Sequence, residues 1–368
     1  MVFDAVRGMA ALAVCAGHLR AFFFVDFSAV PAPSLFDRLF YLATGLGHQA
    51  VVVFFVLSGW LVGGSVWQQF RHARFSGRDY SIARLCRLWV VLLPALAWTL
   101  ALGSLGVWLS GGAGYDGSAI SQIHSGPGPQ NPLDLSFTTF LGNLFFLQTL
   151  VVPVLGSNGP LWSLANEFWY YAIFPCMAYA WFRRGSAVAC LAGAAGLGIF
   201  ALLPAPMQVG YALWLLGWLG FLLLPRLQHA TAIALSLLSG ALLAAALATA
   251  KLGGGWLGSD AVVGLALMGL ISGLVALPPL RVRWWRTLSA ALARISFSLY
   301  LFHFPLLAFV FFTFPITRQA PTLMTLAAFA GMLAGTLLAA SGFWYLFERN
   351  TDRVRHAVRS AIARSTIA

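Results

Sequence analysis

Charged residues are scarce in this chain: only 9% of its 368 residues are Asp, Glu, Lys or Arg, whereas 60% are hydrophobic. A soluble protein needs a polar and charged surface, so this composition, with a mean hydropathy of +0.84, excludes an ordinary soluble domain. Lysine is almost missing, because 21 of the 22 basic residues are Arg. We therefore predict an all-α, polytopic integral membrane protein.

Cysteine is also rare, and its placement argues against redox or zinc chemistry. The four cysteines show no CxxC pair, and no His pair has metal-ligand spacing, so we expect structural thiols and no bound metal. The net charge of +12 comes from short arginine clusters between apolar runs, which indicates membrane topology and not nucleic-acid binding. The N-terminus lacks the basic start of a cleaved signal peptide, so we expect it to stay as a span.

The apolar runs predict about ten transmembrane helices, because a helix needs about 20 residues to cross the hydrocarbon core. The predicted spans are about 5–25, 45–67, 88–109, 161–182, 187–203, 209–224, 230–250, 261–277, 295–314 and 322–347. Residues 1–348 form one membrane domain in this prediction. Residues 349–368 form a basic cytoplasmic tail, which we expect to lie along an anionic membrane surface.

The apolar stretch 137–152 is ambiguous, because its roughly sixteen residues fall below the usual spanning length. Basic residues decide the topology. If the stretch is re-entrant or interfacial, seventeen basic residues and both termini lie in the cytoplasm; if it spans, every later basic cluster moves outside. The cytoplasmic set is then Arg71, Arg74, Arg78, Arg84, Arg87, Arg183, Arg184, Arg226, Arg281, Arg283, Arg286, Arg294, Arg349, Arg353, Arg355, Arg359 and Arg364, and the outer set is Arg20, Arg38, Lys251 and Arg318.

The first predicted helix carries Arg7 and His18, and ionisable groups inside a membrane are by default functional candidates. Eleven residues apart, they share one face, roughly 20° off three whole turns and about 16 Å apart along the axis. In this topology Arg7 lies near the cytoplasmic end, and His18 lies at a depth similar to that of Glu167. His18 is therefore a candidate general base that the Glu167 carboxylate orients. A helix-packing role for His18 is the alternative.

Other polar residues in the spans suit ligand binding. Arg84 and Arg87 share one helix face and fit phosphate oxygens, although arginine at a cytoplasmic helix end also serves topology alone. Ser58 and Gly59 lie within the second span, where glycine permits close approach of a ligand or of another helix. His303 precedes a helix-opening proline at mid-membrane and suits catalysis, acceptor binding or satisfaction of a freed carbonyl.

Six segments together resemble the acyltransferase-3 family of membrane-bound O-acyltransferases, which modify surface polysaccharides, lipopolysaccharide and some small glycosylated metabolites. The first segment is similar to the family's arginine and histidine separated by ten residues. The others resemble its Phe-Phe-Val-Leu-Ser-Gly, Arg-x-x-Arg, Leu-Trp-Ser-Leu-x-x-Glu and closing motifs. The segments are 3–18, 53–60, 84–87, 159–170, 295–305 and 347–348, so the resemblance covers almost the whole chain.

The resemblance implies a catalytic role for His18, with Glu167 as the supporting carboxylate, and no tightly bound cofactor. The donor it implies is acyl-CoA, with acetyl-CoA the commonest case. The residues expected to bind this donor are Arg7, Arg84, Arg87, Ser58 and Gly59. The residues expected to bind the acceptor are Trp162, Ser163, Asn166, Tyr300 and His303.

Two departures from the family pattern bear on the site. Asn166 and Glu167 stand where many members have two consecutive acidic residues, which leaves Glu167 alone for a carboxylate role. The chain is also expected to lack the extracytoplasmic hydrolase-like domain that some members append, so acceptor selection falls to the membrane domain or to a partner.

The sequence thus predicts an O-acyltransferase of the bacterial inner membrane. It moves an acyl group from cytoplasmic acyl-CoA to a hydroxyl of a cell-envelope or exported glycan, a carbohydrate or glycolipid. Its expected partners are acyl-CoA, this acceptor and the lipid bilayer, without nucleic acid, and its oligomeric state is left open. The alternative is a transporter or flippase of a lipid-linked sugar, which the lack of an internal repeat disfavours.

Overall fold

The structure, a computed structural model, describes residues 1–117, 126–128, 132–223, 227–251, 253, 255–279, 282–314 and 316–365. The protein is 79% helical, and these ranges contain no β-strand, which confirms the all-helical fold class. In chain order the helices are α1 (Val2–Phe23), α2 (Leu35–Thr44), α3 (Gly47–Ser58), α4 (Gly64–Arg71), α5 (Gly77–Ser110), α6 (Phe137–Leu144), α7 (Leu161–Phe182), α8 (Ala187–Leu202), α9 (Ala205–Leu223), α10 (His229–Lys251), α11 (Asp260–Ala276), α12 (Arg283–Thr313), α13 (Leu323–Leu346) and α14 (Thr351–Ser365).

Seven helical segments among the described residues are long and apolar enough to cross a membrane. They are Val2–Phe23, Leu35–Arg71, Gly77–Ser110, Ala205–Leu223, His229–Lys251, Arg283–Thr313 and Leu323–Ser365. The helices α8 and α11 are apolar but shorter. The fold is therefore that of an integral membrane protein, while the count of about ten spans and the cytoplasmic location of both termini stay predictions.

The ambiguous stretch 137–152 does not form a spanning helix. Its helix α6 has eight residues and is about 12 Å long, less than half of the roughly 30 Å hydrocarbon core. Ser136 caps α6 by accepting a hydrogen bond from the Thr139 backbone N–H, and turns follow in which Phe146 and Thr149 adopt positive φ. The re-entrant or interfacial interpretation is the one that agrees with this geometry.

The chain divides by its contacts into two units. Unit 1 comprises Met1–Ala13, Gly45–Phe75 and Asn166–Ala293, and unit 2 comprises Val14–Thr44, Ser76–Ala165 and Arg294–Ala368. Arg226 and Arg281, which belong to the predicted cytoplasmic set, lie outside the described residues.

In unit 1, α3 and a π-helical turn at Gly59–Gly63 pack directly against the backbone of α9. Gly59 lies so close to the Trp214 carbonyl oxygen that no Cβ fits there, and Gly217 of α9 abuts the backbone of α3 in the same way. The indole Nε1 of Trp214 donates to the Ser58 hydroxyl at 3.0 Å. Small residues allow this close approach, which fixes the two helices against each other.

In unit 2, an aromatic cluster joins the second half of α1 to α12 and α13. Phe22 stacks on Phe311 with ring centroids 5.3 Å apart, and Phe24 packs against Phe329 at 5.7 Å. The Arg318 guanidinium closes the end of α1 by donating to the Phe24 carbonyl at 2.7 Å. Each buried aromatic contributes about 1.5–3 kcal/mol, so this cluster holds α1 beside α12 at a defined register.

The basic tail forms helix α14, which belongs to unit 2 and packs against α5. Arg359 of α14 binds Asp79 in the first turn of α5 at 3.0 Å. The side chain of Arg355 is paired with Asp352 on α14 itself at 2.9 Å. The contact of the tail with a membrane surface stays a prediction.

The close packing of α3 and α9 predicts a large effect of adding one methyl group. We expect Gly59→Ala to destabilise the protein by about 2–3 kcal/mol, because the new Cβ meets the rigid Trp214 carbonyl and the helices must move apart. Gly198→Ala is the matched control, since a Cβ at Gly198 in α8 meets nothing within 4 Å. Alanine is favoured over glycine in a helix by about 1 kcal/mol, so this control is expected to be neutral or stabilising. Thermal unfolding of the two purified variants measures the difference, and equal stabilities would contradict the packing.

Candidate active site

Two histidines meet inside unit 2. The Nδ1 atom of His18 on α1 lies 2.9 Å from the Nε2 atom of His303 on α12. The two imidazoles are close to parallel, at 14°, with centroids 5.2 Å apart. His303 is 1% exposed, and the ring of Phe304 stands edge-on against His18 at 4.9 Å. The sequence placed both residues among the site candidates, and the structure brings them together.

The hydrogen-bond directions in this pair follow from the partner of His303. Its Nδ1 lies 2.7 Å from the Leu299 carbonyl oxygen, which only accepts, so Nδ1 carries the proton. In a neutral imidazole the other nitrogen, Nε2, is then an acceptor. His18 must therefore donate its Nδ1–H to His303, which leaves the Nε2 atom of His18 with a free lone pair. The relay presents His18 as a base in one defined tautomer.

The proline after this histidine shapes the helix around the pair. Pro305 lacks an N–H, so the Leu301 carbonyl one turn earlier loses its helical partner. The Asn158 side chain replaces that partner by donating to Leu301 O at 3.0 Å, and it also donates to the Thr99 hydroxyl at 3.1 Å. His303 therefore does not satisfy the freed carbonyl, which was one of its three possible roles, and its ring is available to His18.

A second polar contact lies one turn from the pair. The Ser163 and Tyr300 hydroxyls are 2.6 Å apart, and both lie within reach of the Pro160 carbonyl, at 3.2 and 3.3 Å. Both side chains are buried, and the Tyr300 ring lies 6.3 Å from that of His303. Three of the five residues predicted to bind the acceptor are thus neighbours in unit 2. Trp162 is half-buried in the same unit.

Glu167 and Asn166 belong to unit 1. The partner that the structure gives to the Nδ1 atom of His18 is His303, so the orienting contact expected from Glu167 is filled at that nitrogen by an imidazole. Asn166 is buried, at 1% exposed. The roles of Glu167 in catalysis and of Asn166 in acceptor binding stay predictions.

Arg87 is paired with a buried carboxylate. Its Nη1 donates to Oε1 of Glu348 at 2.8 Å, and its guanidinium lies over the Phe297 ring at 4.9 Å. The other oxygen of Glu348 accepts from the backbone N–H and the hydroxyl of Ser298, at 3.1 and 2.8 Å. This network joins α5, α12 and the end of α13, so Arg87 has a structural role beside the donor-binding role predicted for it.

The other predicted donor-binding residues have different surroundings. Arg84 lies over the Tyr80 ring at 5.9 Å in unit 2. Arg7 lies in unit 1, with Nη2 at 3.9 Å from the Asp4 carboxylate. Ser58 and Gly59 take part in the packing of α3 on α9, where the Ser58 hydroxyl also lies 3.1 Å from that of Tyr171. A common phosphate site for the three arginines stays a prediction.

Two buried amides of unit 2 were missed by the sequence analysis. Asn143 is fully buried and joins α6 to the following loop, donating to the Thr139 and Pro153 carbonyls at 2.8 and 2.9 Å. Gln148, also fully buried, donates to the Leu161 carbonyl at 2.9 Å. Their signal in the sequence was an amide inside an apolar stretch too short to span, because a buried amide must find partners.

In the part of the chain that the structure describes, no group of three His, Cys, Asp or Glu side chains is arranged to hold a metal ion. The four cysteines are free thiols.

The fold and the site define the class of this protein. It is a helical membrane protein with a hydrogen-bonded pair of histidines in its interior. The sequence model of the acyltransferase-3 family, described as an acyltransferase domain, matches residues 2–341, nearly the whole chain. The chain therefore belongs to the acyltransferase-3 family, which confirms the resemblance of its motifs and supports a membrane acyltransferase. No curated protein and no solved structure matches the chain.

The Glu348 network predicts a stability effect that a surface ion pair lacks. We expect Glu348→Ala to lower the free energy of unfolding by about 2–4 kcal/mol, because it leaves Arg87 without its carboxylate and removes the acceptor of the buried Ser298 hydroxyl. Asp352→Ala breaks the exposed pair with Arg355 and is expected to cost at most about 0.5 kcal/mol. Thermal unfolding in the same detergent checks both, and similar losses would show that the network is no stronger than a surface pair.

Proposed function

We propose that the protein is an O-acyltransferase that moves an acyl group, acetyl in the commonest case, from acyl-CoA to a hydroxyl of a cell-envelope glycan. Membership of the acyltransferase-3 family supports the reaction class. The observation that carries the mechanism is the relay from the Leu299 carbonyl through His303 to His18, which leaves one basic nitrogen on His18.

The proposed reaction is direct transfer with His18 as general base. The Nε2 atom of His18 removes the proton of the acceptor hydroxyl as its oxygen attacks the thioester carbonyl carbon. The new C–O ester bond forms, and collapse of the tetrahedral intermediate breaks the C–S bond. The thiolate of CoA leaves and takes the proton from His18, so the products are the acyl ester and CoA thiol.

His303 is a positioning residue in this mechanism. Its Nε2 accepts the Nδ1–H of His18 and thereby holds the ring in the tautomer that can act as a base. When His18 takes up a proton, the same hydrogen bond stabilises the imidazolium. Ser163 and Tyr300, with Trp162, are proposed to contact the acceptor near this pair. Acceptor binding by Asn166 of unit 1 stays a prediction.

The proposed binding of the acyl-CoA donor rests on the positive charge of arginine side chains. Arginine guanidinium groups bind phosphate oxygens well, and acyl-CoA carries several phosphates. Arg84 and Arg87 are the candidates in unit 2, and Arg87 also binds Glu348. Donor binding by Arg7, which lies in unit 1, stays a prediction. The excess of arginine on one side of the predicted topology supports entry of the donor from the cytoplasm of a bacterial inner membrane.

The relay predicts distinct effects for its two histidines. We expect His18→Ala to lower kcat by about 10²–10⁴, the usual contribution of a general base, with normal abundance in the membrane. His303→Ala removes the acceptor of the His18 proton and is expected to lower kcat by about 10–100 and to change the pH–rate profile. His303→Gln restores an acceptor oxygen and is expected to recover most of the rate.

The measurement is transfer of labelled acetyl from acetyl-CoA to envelope glycan extracted from a deletion strain, across a pH series. His72→Ala, an exposed loop substitution, is the control and is expected to be unchanged. Undiminished transfer by His18→Ala, or failure of His303→Gln to exceed His303→Ala, would contradict the mechanism. A transporter or flippase would show no acetyl-CoA consumption in this assay.

The donor site predicts a binding effect for Arg84. We expect Arg84→Ala to raise KM for acetyl-CoA about tenfold, equivalent to 1.4 kcal/mol, with kcat nearly unchanged, because phosphate contacts contribute equally before and during transfer. Arg78→Ala, an exposed arginine at the start of the same helix, is the control. An unchanged KM for Arg84→Ala would remove the phosphate role of this residue.

A further inference from the structure

A cavity of about 610 Å³ lies in unit 2, beside the loops that flank α6. It falls within the roughly 300–1,000 Å³ range typical of small-molecule sites. Its described walls are Gly126, Pro127, Pro132, Asp134, Thr149, Leu150, Val151, Val152, Pro153, Val154, Gly156 and Gly159. The mechanism described above does not use any of these residues.

One wall of this cavity touches the residue that packs on His18. Gly126 adopts a positive φ of 93°, and a Cβ at this position would lie 3.4 Å from Cε1 of Phe304. The Phe304 ring in turn stands edge-on against His18, with centroids 4.9 Å apart. A single aromatic ring therefore separates the cavity wall from the proposed base.

A second wall of the cavity is connected to the histidine pair through Pro160. Gly159 lines the cavity, and the next residue, Pro160, offers its carbonyl to the hydroxyls of Ser163 and Tyr300. The Tyr300 ring lies 6.3 Å from that of His303. Two separate contact paths thus connect this cavity to the histidine pair.

Another wall of the cavity is a hydrogen-bonded turn around Thr149. Thr149 adopts a φ of +66°, a conformation that costs a non-glycine residue about 1–3 kcal/mol and is typical of functional sites. The turn is held by a hydrogen bond from the Thr149 N–H to the Val152 carbonyl at 2.9 Å. Fully buried Asn143 fastens the next stretch by donating to the Pro153 carbonyl at 2.9 Å.

The charge of the cavity restricts its ligand. Among the described residues that line it, Asp134 alone is charged. The Thr139 hydroxyl and the Ser136 N–H donate to the Asp134 carboxylate at 2.5 and 2.8 Å, and these bonds hold the pKa of that carboxyl below its usual value. Asp134 is therefore ionised at neutral pH, and the cavity disfavours a second anion. Its prolines and valines offer apolar faces, while carbonyls and the carboxylate accept hydrogen bonds.

We propose that this cavity is a subsite for the acceptor and that it binds an uncharged, hydroxyl-rich compound, a neutral sugar residue of the glycan. The reacting hydroxyl, on a neighbouring part of the same glycan, lies beyond the Phe304 ring at His18. The inference rests on the proposed function, because it assigns the acceptor of that reaction. It assigns the cavity to a neutral sugar in preference to a phosphate-bearing one.

The test fills the cavity without touching the histidine pair. Val151 lines the cavity and is 74% exposed, so Val151→Trp adds bulk there without disturbing buried packing. Val188→Trp is the matched control, because Val188 on α8 is 59% exposed and lies outside the cavity. Full-length protein in nanodiscs is assayed with acetyl-CoA and with envelope glycan extracted from a deletion strain. We expect Val151→Trp to raise KM for the glycan at least about tenfold, with KM for acetyl-CoA within about twofold of the parent.

A labelling measurement covers the case in which the tryptophan variant folds poorly. Val151→Cys is exposed to a polar methanethiosulfonate reagent, with the parent protein as the control for its own four cysteines. We expect the neutral glycan fragment to slow labelling of this cysteine several-fold and acetyl-CoA alone to leave it unchanged.

The outcomes distinguish a failure of the proposed acceptor site from a failure of the proposed reaction. Equal glycan KM values for Val151→Trp and Val188→Trp, or labelling that the glycan does not slow while the parent still transfers acetyl, overturn the acceptor site and leave the proposed function intact. Protection by a phosphorylated glycan fragment but not by a neutral one overturns the assignment to neutral sugars. If the parent and His18→Ala both transfer nothing to the glycan, the proposed function itself fails.

Discussion

The hydrogen bond between the two imidazoles is the interaction on which the candidate site depends. A histidine that is free to change tautomer presents a lone pair on either nitrogen, and only one of them faces a reacting hydroxyl. The Leu299 carbonyl fixes the proton on His303, and His303 fixes the proton on His18. A backbone oxygen of α12 therefore decides which nitrogen of α1 is basic.

This relay needs α1 and α12 held at one register, and several contacts of unit 2 provide that. The aromatic cluster around Phe22 and Phe311 packs the helices together beyond the pair. On the other side of the pair, Pro305 frees a carbonyl that Asn158 captures, which ties the loop before α7 to α12. A shift of either helix by one residue would separate the two imidazole rings. The aromatic cluster and the Asn158 amide therefore both hold α1 and α12 in the register that the histidine pair needs.

The sequence predicted the helices well and the contacts of the site only in part. Apolar runs located most helix ends within a few residues, because each run reflects a local requirement of the bilayer. The helices α5 and α12 begin at Gly77 and Arg283, well before the predicted starts at 88 and 295, because their first turns are polar and basic. His18 and His303 were both recognised as polar residues in apolar helices, but their pairing joins positions 285 residues apart, which no local pattern reports. Glu167 was preferred as the partner because a carboxylate commonly orients a histidine. Asn143 and Gln148 were passed over because the apolar stretch around them dominated the pattern.

A neutral partner for His18 has a physical advantage over a carboxylate inside a membrane protein. An unpaired buried carboxylate carries a desolvation cost of several kcal/mol, which a neighbouring cation must offset. Glu348, a buried carboxylate of unit 2, illustrates this, since Arg87 and Ser298 both bind it. His303 orients His18 without adding any charge to the resting site. In the proposed mechanism a charge arises only when His18 accepts a proton, at the moment when the developing oxyanion of the attacked thioester is present to balance it.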